Sequence, residues 1–195
     1  MDADGVTFAC ATTAERRVAE QAGARTALVG LGASNGVPEG PVISFGIAGA
    51  LRDGLEIGTV LDATRVVDAE GNVLWEGQPL GVPGAEAVTM LAADDVVDDP
   101  SERQRLHELT GADAVDMESG TLARRGQLQG VMRAVSDTPE RQLSGLADSL
   151  TLAGTYDWLG LVRAFARRPR EFVRAATDAK RALDRLGDAA KGWSP

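Results

Sequence analysis

Two carboxylates flank a methionine in Val115-Asp116-Met117-Glu118-Ser119, where a short apolar run gives way to a helix-like segment, Gly120 to Leu128. A second apolar run, Val131-Met132-Arg133-Ala134-Val135-Ser136-Asp137, also ends in an acid. Acids at the carboxyl ends of strands stand where open α/β sheets build their ligand crevices. Two neighbouring strands of this kind give one pocket rim with at least two acids. An ionised carboxylate there accepts hydrogen bonds from hydroxyls, and a neutral one donates a proton.

Other reactive residues are few. Glu15 follows the apolar run Val6 to Ala11 and falls in the first turn of a helix capped by Thr12 or Thr13. There it either complements the helix dipole or joins the acids at the same sheet end. Cys10, the single cysteine, lies inside an apolar run and reads as a core residue; one thiol forms no internal disulfide. His107, the single histidine, falls in a polar helical segment and reads as a surface residue. These counts exclude a zinc site of the usual Cys/His spacing, and no metal is expected. Gly30-Leu31-Gly32-Ala33-Ser34-Asn35-Gly36 reads either as an anion-binding loop after a strand or as a plain turn. Gly46-Ile47-Ala48-Gly49-Ala50 ends another strand, and its small residues let a ligand approach the backbone.

These residues need a scaffold. The chain has 195 residues, 44% of them hydrophobic and only 4% aromatic, which suits one domain over 1–195 with an alanine- and valine-rich core. A net charge of −9 argues against binding a nucleic-acid backbone or an anionic membrane. No apolar stretch is long enough for membrane insertion, and a cytoplasmic location is expected. Strands are predicted over 6–11, 26–31, 42–48, 59–67, 73–75, 87–93, 114–115 and 131–137. Residues 59–75 form a hairpin about Glu70-Gly71-Asn72. Helices are predicted over 14–22, 100–109, 120–128, 156–166 and 169–188. The last has Phe172, Val173, Ala176, Ala179, Leu183 and Leu186 on its apolar face.

Ile43-Ser44-Phe45-Gly46-Ile47-Ala48-Gly49-Ala50-Leu51, Gly58-Thr59-Val60, Val115-Asp116-Met117-Glu118-Ser119 and Arg133-Ala134-Val135-Ser136-Asp137 come in the order of a known set. Together they resemble the nucleoside phosphorylase superfamily, which includes the methylthioadenosine/adenosylhomocysteine nucleosidases. The resemblance covers roughly residues 6 to 138. Arg167-Arg168-Pro169 and the alanine-rich helix after it are similar to the hopanoid-associated phosphorylase branch, as is Phe45-Gly46-Ile47-Ala48-Gly49.

The resemblance implies an α/β fold, a three-layer α/β/α sandwich on a mixed, partly closed central sheet. It also implies N-glycosidic cleavage of an adenosine-type purine nucleoside, a small-molecule substrate, and a homo-oligomer, a dimer. No cofactor is implied; phosphate is a possible co-substrate. Asp137, beside Ser136, matches the acid that serves N7 of the departing base. Glu118 matches the acceptor for ribose hydroxyls, with Met117 against the sugar. Glu15 matches the glutamate that orients water or a ribose hydroxyl. Ala48, Gly49 and Val96 are expected among the substrate-binding residues, with Asp95-Val96 near the base-covering strand end. A donor role requires Asp137 to be protonated, an expectation resting on apolar burial and on like charge from Glu118 and Glu15.

The sequence also departs from the pattern. Residues 35–41 leave no room for the helix that usually separates the glycine-rich loop from the third strand, so the N-terminal half is shortened. Ser44 stands near an arginine of the trimeric and hexameric phosphorylases, and Ile47 replaces a Ser or Thr. Both differences favour water over phosphate as acceptor. The alternative is a catalytically degenerate, nucleoside-binding member of the same fold.

Overall fold

A computed structural model describes residues 5–140 and 169–193. The helix expected over 156–166 lies outside them. The strands are β1 (Thr7–Cys10), β2 (Thr26–Leu28), β3 (Val42–Ala50), β4 (Val60–Val67), β5 (Val73–Glu76), β6 (Glu86–Ala92), β7 (Ala114–Asp116) and β8 (Leu128–Asp137). The helices are α1 (Thr13–Gln21), α2 (Pro100–Thr110), α3 (Ser119–Arg124) and α4 (Pro169–Gly192). Between β2 and β3 there is one 3-10 turn, Leu31–Ala33, and no α-helix, as the short 35–41 link requires.

All eight strands form one mixed sheet. Five of them close on themselves: β3 pairs with β8, β8 with β4, β4 with β6, β6 with β7, and β7 with β3. β1 and β2 extend this ring from the start of β3, and β5 extends it from β4 as the expected hairpin. The two acid-ending strands, β7 and β8, are therefore not paired with each other. Each pairs with β3, on opposite edges, so β3 stands between them.

β3 shares one edge between two partners. Val42 to Phe45 pair with β1, and Gly49 and Ala50 pair with β7, which runs the opposite way. Gly46, Ile47 and Ala48 have no strand on that edge. The carboxyl ends of β1 and β7 thus face each other across a three-residue gap.

Alternating side chains put a core on each face of the sheet. Phe8, Cys10, Ile43, Phe45 and Met132 pack with Ala19 of α1 and with Ala182, Leu186 and Ala190 of α4. Val42, Leu61, Val66, Met90 and Val131 pack with Leu122 of α3. Leu106 of α2 joins Leu51, Leu91 and Val115 in a third cluster. The result is the expected three-layer α/β/α arrangement.

The apolar face of α4 agrees with the sequence reading at Ala179 and Leu186 and differs from it at Val173 and Leu183. Val173 is 54% exposed and Leu183 half-buried, whereas Ala175, Ala179, Ala182, Leu186 and Ala190 are buried. Four of these five are alanines, and their small side chains let the helix lie close against β8 and β3. Weighting the face by large residues rotated it away from the alanine stripe. At its end, Trp193 Nε1 donates to the Leu80 carbonyl at 2.8 Å, and its ring packs on Phe8 with centroids 6.0 Å apart.

Candidate active site

The gap in the β3 edge opens into a cavity of about 320 Å³. Small-ligand pockets span roughly 300–1,000 Å³. All eight residues expected at a site line it: Glu15, Ala48, Gly49, Val96, Met117, Glu118, Ser136 and Asp137. Val96 is 56% exposed at its rim, while Glu15, Glu118, Ser136 and Asp137 are buried.

Glu15 answers both readings open to it. Thr12 caps α1 by accepting from the Glu15 N–H, and Glu15 Oε2 accepts in return from the Thr12 N–H at 2.8 Å. This reciprocal capping box fixes the side chain. Its other oxygen, Oε1, accepts the Ile47 N–H at 3.0 Å, a donor of the unpaired β3 edge. The helix start thereby carries a carboxylate into the strand gap. The glycine-rich turn does present a backbone N–H to an anion, but that anion is internal: Gly32 N–H donates to Glu118 Oε1 at 3.1 Å.

Arg133 sits at the centre of the acids and is completely buried. Its Nη2 reaches Asp116 Oδ2 at 2.7 Å and Glu118 Oε2 at 3.1 Å, and donates to Ser44 Oγ at 2.6 Å. Ser119 donates its hydroxyl to the Asp116 carboxylate, and its Oγ lies 3.0 Å from that of Ser44, in hydrogen-bond contact. Ser44 is thus spent inside this network. Burial works against the charged guanidinium, but Asp116, Glu118 and Glu15 outweigh it and raise the pKa of Arg133. Glu118 is pushed up to about 7, chiefly by burial, with Asp116 and Glu15 adding like charge against the opposing pull of Arg133.

Asp137 has a different neighbour from those expected. Glu118 is engaged by Arg133, and the group that faces Asp137 is Arg103 of α2. Arg103 is 2% exposed and forms an ion pair with Asp137 Oδ2, while Ser136 Oγ donates to Oδ1 at 2.7 Å. The physical reason lies in the helix: Arg103 stands one turn before the buried Leu106 and so shares its inward face.

Neither arginine was among the expected site residues. Arg133 had a readable signal, a lone charge inside an apolar strand, which burial obliges to find partners. Arg103 could be told from Arg105 only by its spacing to Leu106. The remaining candidates fall outside the cavity. Burial raises the Cys10 thiol pKa, as a core residue requires. His107 Nδ1 lies 2.7 Å from the Ala112 carbonyl, just beyond the end of α2.

No protein-family model matches the chain. No curated protein sequence matches it either. Its fold is matched closely among solved structures. One is a 5′-methylthioadenosine/S-adenosylhomocysteine nucleosidase of S. pneumoniae held with a transition-state inhibitor, at a TM-score of 0.62 and 14% identity. That alignment covers 95% of this chain and 98% of that one. The chain has the nucleosidase fold. A Helicobacter pylori nucleosidase of the same type aligns at a TM-score of 0.60 and 15% identity, over 96% of this chain and 97% of that one. Futalosine hydrolase of the same organism aligns at 0.56 and 15%, over 94% and 97%.

Proposed function

We propose that this protein cleaves the N-glycosidic bond of a purine nucleoside, with water as the acceptor. The observation that carries this reading is the charge of the cavity. Among the described residues, Glu15, Asp95, Asp98, Asp116, Glu118 and Asp137 line it, against one guanidinium, that of Arg103. Glycosidic cleavage passes through an oxocarbenium-like ribosyl cation, which a wall of carboxylates stabilises. The same wall repels a phosphate dianion. Arg133 is no substitute clamp, since it is neutralised by Asp116 and Glu118.

The residue roles follow from position. Ionised Glu118 accepts hydrogen bonds from the ribose hydroxyls, with Met117 against the sugar. Glu15, on the opposite side of the strand gap, orients the water. Ala48 and Gly49 admit the flat base, and Val96 covers it. The water oxygen bonds to C1′ as the C1′–N9 bond breaks, and a carboxylate at the Glu15–Glu118 end takes the water proton. The electron pair of the broken bond stays on the base, which needs a proton or hydrogen bond at N7. Asp137 stands at that end of the cavity and is assigned that role. An adenosine-type base and a thioether or apolar 5′ group are supported by the 5′-methylthioadenosine and the MT-ImmA bound in nucleosidases of this fold.

The competing reading is a nucleoside-binding protein without turnover, favoured by the missing helix between β2 and β3. Incubation with methylthioadenosine, adenosine and inosine, with and without phosphate, separates the two. Free-base release detected by chromatography, equal with and without phosphate, is the expected result. Binding by calorimetry with no base released would leave the binding protein standing.

A further inference from the structure

Arg103 holds more than Asp137. Its Nε donates to the Val97 carbonyl at 2.9 Å and its Nη1 to the Ala50 carbonyl at 3.0 Å, while Nη2 pairs with Asp137 and lies 4.0 Å from Asp98. One planar, rigid group is therefore bonded to three separate pieces of the cavity. Val97 belongs to the loop that carries Val96 to the rim. Ala50 ends β3, beside the bare backbone of Gly49. Asp137 ends β8. The fit is close: a Cβ on Gly49 would stand 2.9 Å from Asp137 Oδ2 and 3.4 Å from Arg103 Nη1. With Ser136 on the other carboxyl oxygen, the plane of Asp137 is fixed at both oxygens.

We propose that Arg103 is the positioning residue of the leaving-group end. It registers Asp137 and the Val96–Val97 rim against the end of β3, so that base and acid meet in one fixed geometry. The role rests on the glycosidic-cleavage reading. Only a guanidinium can do this, because its fork serves three acceptors at once whereas an ammonium is a single point of charge. A residue that acts on the base through Asp137 matters when the base needs help to depart. It matters much less when the leaving group departs unaided.

The experiment compares a purine nucleoside with p-nitrophenyl riboside in the wild type, Arg103→Met, Arg103→Lys, Asp137→Asn and Arg103→Met/Asp137→Asn. General-acid assistance is typically worth about a hundredfold or more. Arg103→Met is expected to lower kcat/KM at least about tenfold more on the purine nucleoside than on the aryl riboside, mainly through kcat. The double variant is expected to lose no more on the purine than Asp137→Asn alone, because both changes remove one unit. Arg103→Lys should fall between wild type and Arg103→Met in its purine-to-aryl ratio.

Equal losses on both substrates, or losses that multiply in the double variant, overturn the proposal and leave Arg103 a structural tie. Should Arg103→Met fail to fold, Arg103→Lys decides, and a wild-type purine-to-aryl ratio in that variant overturns the proposal. A wild type that cleaves neither substrate removes the glycosidic reading itself, and this role with it. A wild type that cleaves both, with Arg103 variants unchanged in ratio, removes this role alone.

Discussion

Glu15 and Arg133 approach each other over the bare Cα of Gly46: a Cβ at that position would overlap both the Glu15 carboxylate and the Arg133 guanidinium. The residue in the strand gap is therefore small for a definite reason. It lets an acid from α1 and a base from β8 occupy the space a side chain would fill.

Gly46→Ala forces those two groups apart. Overpacking of a filled interior costs about 1–3 kcal/mol. We expect a lower melting temperature by circular dichroism, and base release reduced by more than the fraction unfolded explains. Wild-type turnover in a folded Gly46→Ala protein would separate the Glu15–Arg133 approach from function.

Glu118→Gln exchanges a charged acceptor for a neutral one without changing shape. Charge-assisted hydrogen bonds are roughly twice as strong as neutral ones, and the ribosyl group is cationic at the transition state. Asp116 and Glu15 remain to balance Arg133, so the fold should persist with a melting temperature near that of the wild type. Base release should fall about tenfold or more. Unchanged kinetics would take Glu118 out of the site.

Stability depends on pH through Glu118. Glu118 is raised from 4.5 to about 7 by burial, so between those values the native chain holds a proton that the unfolded chain has released. Stability tied to this group is therefore full below about pH 4.5 and declines as pH rises toward 7. Turnover, which uses the ionised form, should climb over the same interval. Melting curves at a series of pH values should show the decline in the wild type and a shallower one in Glu118→Gln.

The face of α4 can be tested by contrast. Leu186 is fully buried and Val173 is 54% exposed. Leu186→Ala should cost about 2–5 kcal/mol in denaturant melts, and Val173→Ala no more than about 0.5 kcal/mol. Similar costs for both would mean that the helix packs on the face read from its large side chains.

Much of this was legible in the chain, and the reasons are local. Alternation and turn chemistry marked the β4–β5 hairpin, and Thr12 or Thr13 ahead of Glu15 marked the start of α1. Pro100 opens α2 in its first turn, as expected. Acids placed after apolar runs met in one cavity because β7, although it runs opposite to β3 and β8, ends beside Ala48, next to the end of β8 at Gly49. The charge state of that cavity was less legible. Arg103 and Arg133 reach their partners across 34 and 17 residues of sequence, to Asp137 and Asp116, and no local pattern records such a meeting. The division of the β3 edge between β1 and β7 was likewise hidden, since it depends on the register of strands far apart in the chain.

Among the described residues, the last strand, β8, is also the one that shuts the ring. Until β8 is in place, β3 and β4 each present a long edge with backbone donors and acceptors unmet, and β8 satisfies both at once. Exposed edges of this length recruit other chains. Because β8 also carries Arg133 and Asp137, protection from self-association and possession of the buried ion pairs of these two residues arrive in the same event. A growing chain passes through no stage that is closed yet lacks the site. Chains stopped before Leu128 should sediment as aggregates, not as small monomers with partial activity.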